Sequence, residues 1–269
     1  MIIAIAMSAA SGADGPPPAA VDQVGAARAR EFLMRARQDA AGYEIHLQDG
    51  DRALECQADP VLQWSNPVLG EVYGGVFLWT RDGRPEAAAA IFKWYSPHTH
   101  RTHEFQSLST SGITASRDGQ QVWATARHGV EFQAVPGAPA PAETRAGRQL
   151  QVRMLARQFS AEITERDGVV HTLRLLPQPI YRYESPGDKR NDGALFAFAL
   201  GTDPDVLLLI ESRSADGLDA WHYAPARMNW QDMRVRHDEQ VVWEVGRLSS
   251  SEAYRGTEPY AKFQFDDAP

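Results

Sequence analysis

The segment PVLQWSNP at 60–67 returns as PIYRYESP at 179–186, 119 residues further along the chain. The same offset places Leu54 on Leu173, Gly74 on Gly193, Phe77 on Phe196, Pro85 on Pro204 and Ile91 on Ile210. With the two proline pairs this makes seven gapless identities between 54 and 91. Typical residue frequencies predict roughly two by chance. One-residue slips extend the match: MRARQ at 34–38 lies on MLARQ at 154–158, and QQVW at 120–123 lies near QVVW at 240–243. The repetition predicts two tandem units, 22–135 and 147–265, joined by a Pro/Ala linker at 136–146.

Each unit reads as a helix followed by strands. The first helix, 24–41, is expected to bury Val24, Ala27, Phe32 and Ala36, with Asp22 as its cap. The second, 147–159, is expected to bury Leu150, Met154 and Leu155. Strands are expected near 43–48, 53–57, 71–80, 86–95, 103–109, 113–117, 121–126 and 130–134. Their counterparts fall near 160–165, 169–176, 180–184, 193–200, 205–213, 220–228, 232–236 and 240–245. Asp-Gly pairs in RDGR (81–84) and RDGV (166–169) and the proline of TDPD (202–205) mark hairpin turns. Such short connections favour antiparallel pairing. GVFLW (75–79) and VLLLI (206–210) are apolar on both faces, so they belong in a sheet covered on both sides. The expected fold class is α+β: two tandem repeats, each a helix followed by a curved antiparallel β-meander. A helix-decorated β-sandwich is the alternative.

The 269 residues carry a net charge of −8, which disfavours a nucleic-acid partner. No stretch is long and apolar enough to span a membrane. MIIAIAMSAASGADG joins an apolar run to small residues that suit signal cleavage, although no basic residue precedes it. Residues 1–21 are therefore expected to be a leader and a disordered N-terminus, and the protein periplasmic or extracellular, with the cytoplasm as the alternative. The single cysteine, Cys56, reads as a buried inert thiol and excludes an intrachain disulfide.

SPHTHRTHEF (96–105) concentrates three histidines and a glutamate. Its spacing resembles the H-x-H-x-D-H motif of the metallo-β-lactamase superfamily, which would make His98, His100 and His103 zinc ligands. Thr102 stands where that motif has its aspartate. A looser zinc site from His98, His100 and His103, with His103 or Glu104 as catalytic residues, is the second possibility. The bland reading is a solvated loop with His103 held by a backbone carbonyl. At constant offset His103 falls on His222 and Glu104 on Tyr223, so one histidine would belong to the shared framework.

Other chemistry is sparser. There is no phosphate loop, no dinucleotide fingerprint and no nucleophile elbow. SSSE (249–252) reads as a helix cap, and the pairs Asp203/Asp205 and Asp266/Asp267 as solvated charges in a turn and a tail. The aromatics are read chiefly as core, with Trp64/Tyr183 and Trp79/Phe198 in equivalent places. Trp94, Tyr95, Trp221 and His222 are the candidates for a ligand-binding surface.

Residues 64–109 and DGALFAFALGTDPDVLLLIE (192–211) resemble a family of uncharacterised exported bacterial proteins. The resemblance covers most of the chain and implies no activity. The expected function is a non-catalytic ligand-binding or scaffold role with no cofactor, toward a small molecule, glycan or protein partner. The alternative is a metal-dependent hydrolase using His98, His100, His103 and Glu104 with zinc.

Overall fold

A computed structural model describes residues 18–50, 52–66, 70–184, 192–215 and 218–266. The first half runs α1 (Pro18–Ala41), β1 (Tyr43–Leu47), β2 (Glu55–Cys56), β3 (Leu62–Ser65), β4 (Glu71–Arg81) and β5 (Arg84–Ser96). It continues with β6 (His100–Ser107), β7 (Ile113–Arg117), β8 (Gln120–Thr125) and β9 (Gln133–Ala134). The second half runs α2 (Arg145–Ala156), β10 (Phe159–Thr164), β11 (Val170–Leu175), β12 (Tyr181–Glu184), β13 (Asp192–Leu200) and β14 (Asp203–Ala215). It ends with β15 (Leu218–Arg227), β16 (Asp232–His237), β17 (Gln240–Val245), α3 (Ser250–Arg255) and β18 (Tyr260–Asp266).

The α+β expectation is corrected. Among the described residues three helices stand against eighteen strands, so the fold is mostly β. Nor is either half a helix followed by a meander. β1 pairs with β7, and β10 lies between β16 and β11. The first half splits into a three-stranded sheet, β1-β7-β8, and a six-stranded sheet built on β18-β6-β5-β4-β2 with β3 beside β4. The second half forms one nine-stranded sheet, β17-β16-β10-β11-β13-β14-β15-β9, with β12 beside β13. Turn signals report only neighbours in sequence, which is why pairings such as Tyr43 with Arg117 were not legible.

The halves exchange edges. β9, from the first half, pairs with β15 of the second, and β18, from the second, pairs with β6 of the first. Edge strands left open invite intermolecular pairing; β18 covers β6 from Gln106 to His100, and β9 covers β15 at His222 and Tyr223.

Within the halves the central registers run parallel to one another. Trp64 faces Gly74, and Tyr183 faces Gly193. Gly75 faces Ile91, and Ala194 faces Ile210. The glycines serve the same purpose: an added Cβ would stand 2.1 Å from the Trp64 ring at Gly74 and 2.2 Å from the Tyr183 ring at Gly193. Further on the offset slips by one. Ile91 faces His103, whereas Ile210 faces Tyr223, so His103 corresponds to Tyr223 rather than to His222.

The strands that are apolar on both faces sit between two cores, as period-two alternation requires. In β4, Phe77 and Trp79 pack outward under α1 with Phe32, Ala36 and Ile45, while Val76 and Leu78 face inward. In β14, Val206, Leu208 and Ile210 pack outward with Val152 and Leu155 of α2, while Leu207 and Leu209 face inward. The inward sets of the two large sheets meet in a shared middle core with Ala88, Leu195, Ala224 and Met228. Fully burying one such side chain stabilises by roughly 1.5–3 kcal/mol.

Each helix buries only part of the face expected of it. Phe32 and Ala36 are buried as expected, with Asp39 and Ala40 beside them, whereas Val24 and Ala27 are exposed. Asp22 lies within α1, which starts four residues earlier. In α2, Leu155 is buried as expected together with Val152 and Arg148, whereas Leu150 and Met154 are exposed. Arg148 Nε donates to Asp192 at 3.1 Å and ties α2 to β13. The SSSE segment does cap a helix: Ser249 and Glu252 form a reciprocal capping box at the start of α3. Cys56 is half-buried rather than buried, and burial pushes its thiol up to about 11.

Candidate functional site

The histidine cluster does not assemble. Side chains alternate along β6, so His100 and Glu104 point to one face and His103 to the other. His103 lies wholly buried in the outer core, with Nδ1 2.7 Å from the Tyr43 hydroxyl and Nε2 3.5 Å from Asp39. Arg117 donates to Asp39 at 2.9 Å, and Arg101 donates to the other carboxylate oxygen. His103 thus belongs to a buried ionic network, not to a solvated loop or a zinc site. His98 is exposed and His100 half-buried; both rings lie against Trp94, with centroids 5.3 and 6.5 Å away. Glu104 pairs with Lys262 at 2.8 Å. Among the described residues no three His, Cys, Asp or Glu side chains are grouped to hold a metal ion. The zinc and hydrolase readings of this stretch therefore lose the geometry they require.

The four aromatic and histidine candidates also separate. Trp221 is 1% exposed and belongs to the outer core of the second half. His222 is half-buried, with Nδ1 3.2 Å from the Ala220 carbonyl oxygen. Tyr95 faces α1, where its hydroxyl donates to the Arg28 carbonyl and Lys93 lies over its ring. Trp94 points to the opposite side and lines a cavity of about 140 Å³.

That cavity draws on both halves. From the first come Trp64, Asn66, Phe92, Trp94 and Glu104. From the second come Asp203, Asp205, Asn229, Trp230 and Lys262. Period-two alternation puts Phe92 and Trp94 on the inward face of β5, beyond the point where the middle core gives out. The paired registers of β6 and β18 set Glu104 directly beside Lys262. Gly201, at φ 87°, turns the chain into β14, and a register shift opposite Pro204 sets the two aspartates at the seam.

The carboxylates are not the solvated turn charges that their spacing suggested. Asp205 is 4% exposed, accepting from the Leu200 amide at 2.8 Å and from Asn229 Nδ2 at 3.0 Å. Burial pushes its carboxyl up to about 7, against those hydrogen bonds, with the Asp203 and Glu104 charges adding to the rise. Asp203 is half-buried and accepts from Asn66 Nδ2 at 3.1 Å; burial raises it as well. Lys262 Nζ lies 5.3 Å from the centre of the Trp230 ring. The Trp64 and Phe92 rings meet at a tilt, with centroids 5.6 Å apart, and the Trp64 indole N–H is buried without an acceptor.

Of this site, sequence reasoning located Trp94 and Glu104. It missed Asp203, Asp205, Asn66, Trp230 and Lys262, and it read Trp64 as core. One signal was available: Asp203 and Asp205 flank a proline at the start of a two-faced apolar strand, where a charge at Asp205 is drawn inward. No protein-family model matches the chain, and comparison with curated proteins and with solved structures finds no match.

Proposed function

We propose that this chain is a non-catalytic binding protein whose ligand seat is the cavity between Trp94, Trp64, Asp205 and Lys262. The convergence of aromatic faces and hydrogen-bonding side chains from both halves carries this reading. A cavity of about 150 Å³ holds one benzene ring, so this one of about 140 Å³ takes one edge of a sugar ring rather than a whole hexose. Its polar groups are mixed. The carboxyl groups accept, Lys262 and the Asn229 amide donate, and hydroxyl groups on one ligand answer both. The aromatic faces suit the C–H face of a sugar ring. Lys262 is paired with Glu104 and burial raises both aspartates, so the seat offers a cation little fixed negative charge. We therefore assign a neutral monosaccharide, free or at the end of a glycan, as the ligand class. The matched central registers support a descent of the two halves from related units, fused so that the seat forms where their inner faces part.

No helix of the described residues is long and apolar enough to cross a membrane. The hydrolase alternative is not favoured, because His103 and Glu104 stand on opposite faces of β6.

Tryptophan fluorescence during titration with glucose, galactose, mannose and choline tests the reading. A saturable change with at least one sugar is expected, weakened roughly tenfold or more by Trp94→Ala and by Asp203→Asn. Binding of choline alone, or of none of the four, would overturn it.

A further inference from the structure

A second cavity, of about 130 Å³, lies one register step along the same strand pair. Gln106 and Tyr260 line it, and they pair across β6 and β18 as Glu104 and Lys262 do in the first cavity. Its most unusual group is Arg227, at the end of β15. The side chain is 8% exposed. Its Nη2 donates to the carbonyl oxygens of Gln231 and Gly246, each at 2.8 Å. Nε is buried and has no acceptor, and Arg227 has no ion pair among the described residues. A buried guanidinium without a counter-charge is costly, since its removal from water is repaid only by a partner of opposite sign. Burial pulls this arginine's pKa below its ordinary value, with Tyr260, Asp232 and Glu258 opposing that fall.

Gln106 supplies a second unmet need. It is 2% exposed, and its Nε2 donates to the carbonyl oxygens of Ser107 at 2.7 Å and Gly129 at 3.4 Å. Those two acceptors fix the orientation of the amide and leave Oε1 buried with no donor. The remaining wall is largely apolar, from Ala226, Trp243, Val245 and Pro259. Glu258, also in the lining, is neutralised by Arg127.

We propose that this cavity binds a small organic carboxylate carrying a hydroxyl or amino donor, with the carboxylate on Arg227 and the donor on Gln106. Both Nη2 hydrogens of Arg227 are already donated, so one carboxylate oxygen takes the unpartnered Nε–H in a charge-assisted hydrogen bond. The side formed by Ala226, Trp243, Val245 and Pro259 accepts a short hydrocarbon substituent. This site is separate from the sugar seat and stands without it.

Isothermal titration of the full chain with lactate, acetate and inorganic phosphate tests the proposal. Lactate is expected to bind one to one and more tightly than acetate, because only lactate brings a donor to Gln106. Arg227→Gln is expected to weaken lactate binding by about tenfold or more, and Gln106→Leu to reduce it to the level of acetate. Circular dichroism shows whether each variant is folded. Should Arg227→Gln fail to fold, the wild-type preference and Gln106→Leu decide. No saturable lactate binding, equal affinity for lactate and acetate, a preference for phosphate, or a folded variant with unchanged affinity would each overturn the assignment.

Discussion

Asn66 donates its side-chain amide to Asp203 at 3.1 Å, joining the end of β3 to the start of β14 across the seam between the halves. Close by, Thr202 donates to the Ser65 carbonyl at 2.6 Å. The seat is therefore held on two sides by bonds between residues about 137 positions apart in sequence. Such a site depends on the docking of the two sheets, so perturbing that docking perturbs binding.

The ring over Gly74 sets the first prediction. A methyl group there meets the Trp64 indole at 2.1 Å, and the indole is itself packed on Phe92. Gly74→Ala is expected to destabilise by about 1–3 kcal/mol through overpacking. Replacing Trp64 by a smaller residue in the same chain should recover part of the loss. Urea melts of the single and double variants measure this coupling. Additive losses would show that the ring and the glycine do not constrain one another.

The buried network around Asp39 predicts a larger effect. Asp39 is 2% exposed and balances Arg101 and Arg117, with His103 alongside. Burial alone would raise its pKa, but the adjacent His103 ring and the hydrogen bond from Arg101 outweigh that and hold it well below the usual carboxylate range. The stability it contributes is present above pH 3.8 and is lost as pH falls through its folded value. Asp39→Asn leaves two guanidinium groups short of a counter-charge, and a loss of about 3–5 kcal/mol is expected. Thermal melting at neutral pH checks it; a variant as stable as the parent would contradict the network's role.

Asp205 has the opposite sign. Its folded pKa is raised from 3.8 to about 7, so between those values the folded chain binds more protons than the unfolded one. Stability then falls as pH rises through this window, by at most about 1.4 kcal/mol per pH unit for this one group. Asp205→Asn should flatten that slope while losing one hydrogen-bond acceptor, either to the Leu200 amide or to Asn229. Urea midpoints of both chains, taken from about pH 4 to about pH 8, provide the comparison. Parallel profiles would mean that Asp205 titrates near its ordinary value.

The exchanged strand yields the fourth prediction. β18 pairs with β6 from Tyr260–Gln106 to Asp266–His100 and brings Ala261 and Phe263 onto the outer core of the first half. Removing residues 258–269 opens the long β6 edge and empties part of that core. The shortened chain is expected to aggregate or to lose cooperative unfolding in the first half. Size-exclusion chromatography and a melt read by Trp fluorescence test this. A monomer with the parent's transition would show that β18 is dispensable.

The residue pattern by itself determined the local matters: most of the strands though not β3 or β18, where Asp82–Gly83 and Gly168 turn them, and that β4 and β14 need cover on both faces. These follow from side-chain alternation and turn stereochemistry, which act over a few residues. Tertiary structure alone decided that β1 reaches β7, that β9 and β18 change sides, and that His103 turns away from His100 while Glu104 meets Lys262. It also decided that Asp205 enters the seam instead of facing water. Strand partners and buried charges are chosen by the summed contacts of two large sheets, and no window of neighbouring residues contains that sum.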